Sequence, residues 1–402
     1  MRIALFHNLP AGGAKRHTYE QVRELCRRGY QIDEFTQSTA DLDFVPFAPY
    51  AARTQIYDLP WKRLQPVIIP GIGPYIHWWQ NYRNLFVLDR QSQRIAAEIN
   101  AGGYDLAFVK DCMFVVAPIV LRYLRIPSVF YMHSVPERSN ADSSKGHTSF
   151  VRKVINWPTG AHARMVDRLV VENLHCATRI LTNSYFTREI RLLRDGIDSH
   201  VVYPGVDVDT FQLYPDANAS YVLSAGSLTP AKGHWLVIEA LGRLDPAIRP
   251  RLVIATPWVD SERRMQLEQY AMQYGVMLEM TSARDSQQMA QLYSNALFLA
   301  FAPTMELLGL VALEAMACGV PVVGVCEGGL RETVQNDVTG FLVERDPVQF
   351  AATMQRLIED ASLRQQLGQQ ARRHIESYWT WPRAVDDLEA QFAAALGQAK
   401  DR

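Results

Sequence analysis

Apolar residues along this chain fall into short blocks separated by amphipathic stretches, and the blocks recur in a fixed rhythm. Ile3 to Phe6 reads as a strand and His7 to Gly12 as a loop. Gly13 to Arg28 reads as a helix, with Val22, Leu25 and Cys26 on one face and Arg23, Arg27 and Arg28 elsewhere. Gly29 stops this helix, and Gln31 to Thr36 forms a second strand. Strand, helix, strand implies a parallel sheet. The rhythm continues with strands at Asp105 to Asp111, Ile126 to His133 and Arg179 to Ser184, and with helices at Pro118 to Leu124 and Thr187 to Arg194.

Val201 to Phe211 pairs a short strand with a Pro-Gly turn and reads as a linker. After it the pattern restarts. Tyr221 to Ser227, Arg251 to Thr256, Ala296 to Pro303 and Val320 to Val325 are strands. Lys232-Gly233 leads into a helix through Leu241, and Leu308 to Gly319 is a helix closed by glycine. Val385 to Leu396 is amphipathic. The fold class is therefore α/β, with two Rossmann-like doubly wound domains. Two such domains facing each other enclose a cleft at the carboxyl ends of their strands, where ligands bind.

Bulk properties narrow the function by exclusion. A chain of 402 residues is too long for one core. A net charge of −1 supplies no global field for nucleic acid, so none is expected as a partner. The five cysteines include no CxxC pair, which argues against a zinc site or a disulfide framework. The N-terminus MRIALFHNLP is a strand rather than a signal peptide, and no run of 18 apolar residues occurs. A cytoplasmic protein is expected.

The chemistry concentrates in MELLGLVALEAMACGVPVV, Met305 to Val323. On a single helix, Glu306 and Glu314 would lie roughly 12 Å apart. With Glu306 in the preceding loop, both carboxylates frame the helix N-terminus. There the amides of Leu308, Gly309 and Leu310 offer hydrogen bonds to a diphosphate or to sugar hydroxyls. The pattern alone fits equally well Glu306 as a helix-start acid and Glu314 as a solvated one.

This segment closely resembles the Glu-(seven residues)-Glu motif of glycosyltransferase family 4, the retaining enzymes of GT-B fold. EAMACGVPVV, Gly328-Gly329, GFLV at Gly340 to Val343, NSYFTREI at Asn183 to Ile190 and YPGVDVDTF at Tyr203 to Phe211 share in the resemblance. It implies a GT-B architecture, with an acceptor-side domain at 1–205 and a nucleotide-sugar domain at 206–377. It also implies that a C-terminal helix, 378–402, packs back on the first domain. Glu306 inherits a role on the donor sugar and Glu314 one on the ribose. A basic pair, Arg then Lys, normally holds the diphosphate. Here GSLTPAKG supplies Lys232 but puts Ser227 at the arginine position. The resemblance places the Gly12-Gly13 loop near the donor phosphates and the acceptor, and His133 near the sugar's primary hydroxyl. On residue type alone, Gly12-Gly13 fits a tight turn as well, and His133 fits a structural histidine. Lys15 and Arg16 either neutralise a phosphate or are solvated. Glu137 and Arg138 are candidates for the acceptor side.

The implied reaction moves a hexose from a UDP- or GDP-sugar to a glycan, glycolipid or lipid-linked acceptor. The departing phosphate oxygen takes the acceptor's proton on the front face, and the enzyme supplies positioning and electrostatics. No metal and no cofactor is expected, and DLD at Asp41 to Asp43 reads as solvated. Pro60 to Phe86 interleaves Trp61, Tyr75, Trp78, Trp79, Tyr82 and Phe86 with Lys62, Arg63 and Arg83. That composition suits either peripheral membrane contact or a domain core with subunit contacts, and Arg152, Lys153 and Trp157 form a second such cluster. Other sugar-nucleotide chemistry, such as 2-epimerisation or synthesis on a sugar-phosphate acceptor, is the alternative activity. Donor binding with degraded catalysis is a third reading. The donor base is expected to be read near Thr281 to Arg284.

Overall fold

The structure is a computed structural model describing residues 1–61, 73–134, 150–214, 218–258, 260–283 and 285–400, with the side chains of all but 73–74, 150–159 and 399–400. It divides into two compact units. Unit 1 comprises Met1–Asn183, Arg188–Val202 and Val385–Arg402, and unit 2 comprises Ser184–Thr187 and Tyr203–Ala384.

In chain order the first half holds β1 (Arg2–Asn8), α1 (Gly13–Arg27), β2 (Gln31–Gln37), β3 (Arg53–Tyr57), α2 (Gly73–Ala101) and β4 (Leu106–Cys112). There follow β5 (Ser128–Met132), α3 (Phe150–Cys176), β6 (Arg179–Thr182), α4 (Tyr185–Asp195) and β7 (His200–Val201). The sheet runs β3-β2-β1-β4-β5-β6-β7, and all its pairings are parallel. Ile3 pairs with Ile32 on one side and Leu106 on the other. Alternate residues serve opposite faces. Ala4 and Phe6 join Val109, Phe130, Ile95, Ile99 and Leu174 in one core. Ile3 and Leu5 join Phe108, Val129, Val22 and Leu25 in another, together with Val385, Leu388 and Phe392 of the C-terminal helix. Each such aliphatic or aromatic side chain contributes about 1.5–3 kcal/mol on burial. The helix expected at Pro118 to Leu124 is a single 3₁₀ turn, Ile119–Arg122. Pro127 disfavours a helical conformation at Ile126, which bounds the turn on its C-terminal side.

The second half holds β8 (Tyr221–Ala225), α5 (His234–Gly242), β9 (Arg251–Thr256), α6 (Ser261–Gln273), β10 (Leu278–Ser282) and α7 (Ser286–Ser294). After these come β11 (Ala296–Phe301), α8 (Leu310–Ala317), β12 (Val322–Val325), α9 (Leu330–Thr333) and β13 (Gly340–Val343). The chain closes with α10 (Pro347–Glu359), α11 (Ala361–Tyr378) and α12 (Trp381–Lys400). The parallel sheet runs β10-β9-β8-β11-β12-β13, the doubly wound order whose reversal point lies between β8 and β11. Helix α8 starts later than the Leu308 its apolar pattern suggests. Gly309, at φ 94°, turns the chain into it, while Leu308 is spent on the core at 2% exposure.

Candidate functional site

The carboxyl ends of β8 and β11 flank the reversal point of the second sheet, and the loops leaving them carry most of the expected site. From β8 the chain passes Gly226 and Ser227 into the 3₁₀ turn Pro230–Lys232 and then Gly233. Gly226 has φ 138°, and a Cβ there would lie 3.1 Å from the Lys232 stem, so the bare glycine lets that stem lie across it. Gly233 (φ 71°) approaches β11 so closely that a Cβ would fall 1.8 Å from the Ala302 carbonyl. His234 is fully buried. Its Nε2 lies 3.1 Å from the Ser227 carbonyl and its Nδ1 2.9 Å from Ser224 Oγ. Only Nε2 can donate to a carbonyl, so Nδ1 accepts from Ser224. Burial pushes this imidazole down to about 4. The side chain of Ser227 itself meets Thr229 Oγ1 at 3.2 Å.

The loop leaving β11 delivers Glu306. Met305 is held at φ 54°, a conformation that costs a non-glycine residue on the order of 1 kcal/mol. Glu306 Oε2 accepts from Lys232 Nζ at 2.8 Å. Other segments brace this loop. The Thr304 amide donates to the Ala231 carbonyl at 2.7 Å, and the Gly329 amide donates to the Glu306 carbonyl at 2.8 Å. A Cβ on Gly328 would lie 2.4 Å from that carbonyl oxygen, and one on Gly329 2.2 Å from the Leu307 oxygen. Arg345 donates to the carbonyls of Ala302 and Pro303 at 2.9 and 2.7 Å and forks onto Glu327 at 2.9 and 2.7 Å. The Ser184 hydroxyl donates to the Leu307 carbonyl at 2.6 Å.

Gly309 caps α8, which makes Leu310 its first residue. Glu314 lies in the second turn of α8, where its Oε2 accepts from the hydroxyl of buried Tyr293 at 3.0 Å. Unit 2 thus gathers Ser227, Lys232, Glu306, Leu308, Gly309, Leu310 and Glu314 on the two loops and on the helix that follows the second.

Gly12, Gly13 and His133 belong to unit 1 and lie beyond β1 and β5. Gly12 adopts φ 149° and enters α1. Lys15 does not reach solvent. It is 1% exposed, lies 5.7 Å from the centre of the Phe47 ring and donates to the Asp41 carbonyl. The backbone amide of His133 donates to both oxygens of Asp111, at 3.2 and 3.1 Å, and the Ser134 hydroxyl reaches the same carboxyl at 2.7 Å. Burial raises Asp111 to about 7 against these bonds.

Among the described residues no group of three or more His, Cys, Asp or Glu could hold a metal ion, and no helix is long and apolar enough to cross a membrane. Trp61 stacks inward on Phe114 at 3.6 Å, but Tyr75, Trp79, Tyr82 and Phe86 form an exposed row on α2. Lys62, Arg63, Glu137, Arg138 and Arg284, and the side chains of Arg152, Lys153 and Trp157, lie outside the described residues.

The sequence profile of Glycosyl transferases group 1 matches residues 207–374, and that of Glycosyltransferase Family 4 matches residues 11–210. A D-inositol 3-phosphate glycosyltransferase of Geodermatophilus obscurus is 30% identical over 96% of this chain and 85% of its own. The chain belongs to glycosyltransferase family 4. It is a glycosyltransferase that draws on a nucleotide sugar. The namesake enzyme of Thermobifida fusca is 27% identical over 97% of this chain and 90% of its own. Solved structures share the GT-B fold. Sucrose-phosphate synthase of Thermosynechococcus elongatus superposes with a TM-score of 0.72 at 20% identity, covering 98% of this chain and all of that one. Anabaena HepE in complex with UDP-glucose superposes with a TM-score of 0.70 at 19% identity, covering 99% of each chain.

The residues that brace the Glu306 loop and Glu314 in unit 2 are not visible as motifs. Arg345 and Tyr293 carry no local signature. Each acts through contacts with residues distant in sequence. The Gly328-Gly329 pair was visible as a motif, but its use emerges only when a Cβ is placed against the Glu306 loop.

Proposed function

We propose that this enzyme transfers a hexose from a nucleotide-diphosphate sugar with retention of anomeric configuration and without a metal. The observation that carries the reading is Lys232 and Glu306 meeting at the carboxyl ends of β8 and β11, with the amides that open α8 and the carboxylate of Glu314 on the next element. In this reading Lys232 and the α8 amides take the diphosphate, Glu306 the sugar hydroxyls and Glu314 the ribose. His133 meets the sugar's primary hydroxyl, and the Gly12-Gly13 loop lies near the phosphates. The C1–phosphate bond breaks as the acceptor oxygen bonds C1 on the same face, and the acceptor proton passes to the departing phosphate oxygen. UDP is the nucleotide named in the HepE complex, which makes UDP-sugars the first donors to test.

For the acceptor, the exposed row on α2 favours a lipid-linked glycan. Arg83 lies over Trp79 at 4.9 Å and Arg90 over Phe86 at 4.6 Å, so aromatic faces and cations sit side by side. An anionic bilayer surface matches both. In this reading the enzyme works as a peripheral protein at the inner face of a membrane. A phosphorylated polyol is the second reading, favoured by the named activity of the 30% and 27% relatives.

The test is transfer from UDP- and GDP-sugars, with chelator present, to lipid-linked and inositol-phosphate acceptors, with the product anomer read by NMR. An α-linked product from an α-configured donor supports the reading. A β-linked product, or activity that needs a metal, overturns it. An epimerised nucleotide sugar formed without acceptor, or tight donor binding without turnover, would replace it. Co-sedimentation with anionic vesicles that Trp79→Ala abolishes supports the membrane surface, and no sedimentation by the wild type removes it.

A further inference from the structure

His133 is held on its ring as well as on its backbone. Its Nδ1 lies 3.0 Å from Nδ1 of His17, on the second turn of α1, with the two ring planes at 89°. Tyr131 flanks both rings, with centroids 4.9 Å from His17 and 4.8 Å from His133, and its hydroxyl is tied to the Val202 carbonyl at 2.5 Å. The charged and titratable groups around the pair are Lys110 and Asp111 on β4, Tyr131 on β5 and, toward Asp111, Arg191 on α4. Burial, with the charge of Lys110, pushes both imidazoles well below their ordinary value. Both are therefore neutral near pH 7.

A neutral imidazole carries one N–H. Two facing Nδ1 atoms at hydrogen-bond distance share a single proton, one ring donating and the other accepting. The Nδ1 edge of His133 is thus closed by His17. Nε2 is the ring nitrogen left for a ligand, and it is buried without a hydrogen-bond partner. The Gly12-Gly13 turn has a part in this arrangement. Gly12 at φ 149° sets the entry of α1, and the helix carries His17 to this contact.

We infer that His17 is a positioning residue for His133: by occupying Nδ1 it fixes the plane of the imidazole and closes its Nδ1 edge, so that Nε2 alone meets the donor sugar. This rests on the assignment of His133 to the sugar made above. The Nδ1–Nδ1 bond holds the ring against the flip that would turn Nδ1 toward the ligand, and so removes the fraction of enzyme presenting the wrong nitrogen.

The experiment compares His133→Gln, His17→Leu and His17→Asn in steady-state transfer, together with ¹⁵N spectra of histidine-labelled protein. The asparagine amide can occupy the place of Nδ1. His17→Leu should lower kcat on the order of tenfold or more, with donor KM changed by less than about threefold. His17→Asn should recover kcat to within about threefold of wild type. The spectra should show a hydrogen-bonded Nδ1 on His133 in the wild type and in His17→Asn, and loss of that bond in His17→Leu. Wild-type kcat in His17→Leu alongside a loss in His133→Gln overturns the inference and leaves the sugar assignment standing. Full activity in His133→Gln overturns both. If His17→Leu does not fold, His17→Asn decides: a folded variant with the low kcat of His133→Gln overturns the inference, and a near-wild-type kcat with His133 Nδ1 still hydrogen-bonded supports it.

Discussion

Lys232 Nζ lies 2.8 Å from Glu306 Oε2, so the cation proposed for the diphosphate and the carboxylate proposed for the sugar neutralise one another. A diphosphate carries more charge than one carboxylate and competes with Glu306 for the ammonium. In the proposed reading, donor binding exchanges one ion pair for another and turns Glu306 toward hydroxyls. The pair is part-exposed, at 31% and 20%, and contributes at most about 1 kcal/mol to stability. Glu306→Gln should therefore move the melting temperature by less than about 4 °C. Transfer should fall by about a hundredfold or more. Calorimetry and transfer assays on the same preparation check this, and a large loss of stability with activity spared would make the pair structural.

Ser227 stands at the position where the family resemblance leads one to expect the first cation of a diphosphate clamp. A serine hydroxyl offers the leaving phosphate one neutral hydrogen bond in place of an arginine fork. Ser227→Arg should raise kcat/KM for the donor by about three- to tenfold. Unchanged kinetics would show that another cation already fills this role.

How much was legible before the structure depended on where each residue sits in its sheet. Central strands such as β1 and β11 are buried on both faces, and their unbroken apolar runs announced them. Edge strands did not. Arg53–Tyr57 and Leu278–Ser282 are largely exposed, carry polar residues and escape a search for apolar blocks. The glutamate pair was readable because its spacing is local. The braces were not, because Arg345 reaches Ala302 and Pro303 across 43 and 42 positions. Lys15 shows the same limit. Whether a lysine faces solvent or lies buried beside Phe47 depends on packing that no neighbouring residue encodes.

Gly328 tests whether backbone position, rather than charge alone, makes Glu306 effective. Its φ of 58° suits glycine, and a Cβ would lie 2.4 Å from the Glu306 oxygen and 3.2 Å from its nitrogen. The neighbouring Gly329 amide already bonds that oxygen, so the strain passes into the Glu306 loop. Gly328→Ala should cost about 1–3 kcal/mol of stability and lower kcat about tenfold or more. Gly397→Ala, in helix α12 with nothing within 4 Å of the added carbon, is the control. It should stabilise by about 0.5–1 kcal/mol and leave turnover unchanged. Equal kinetics in the two variants would show that Gly328 does not set the loop.

His234 gives the nucleotide-sugar unit a dependence on pH whose sign follows from burial. The folded imidazole is held to about 4, whereas an unfolded one titrates near its ordinary 6.5. Between these values the unfolded chain binds the additional proton, so stability falls as pH drops through this window and is unaffected above it. The difference corresponds to about 3 kcal/mol by pH 4. His234→Gln retains a nitrogen donor for the Ser227 carbonyl and cannot titrate. Its unfolding free energy should therefore lose less than the wild type's, by about 2–3 kcal/mol, between pH 7.5 and 4.5. Denaturant unfolding of both proteins at the two pH values measures this difference. The other buried histidines act equally in each, so they cancel, and parallel pH profiles for the two proteins would show that His234 is not the group responsible.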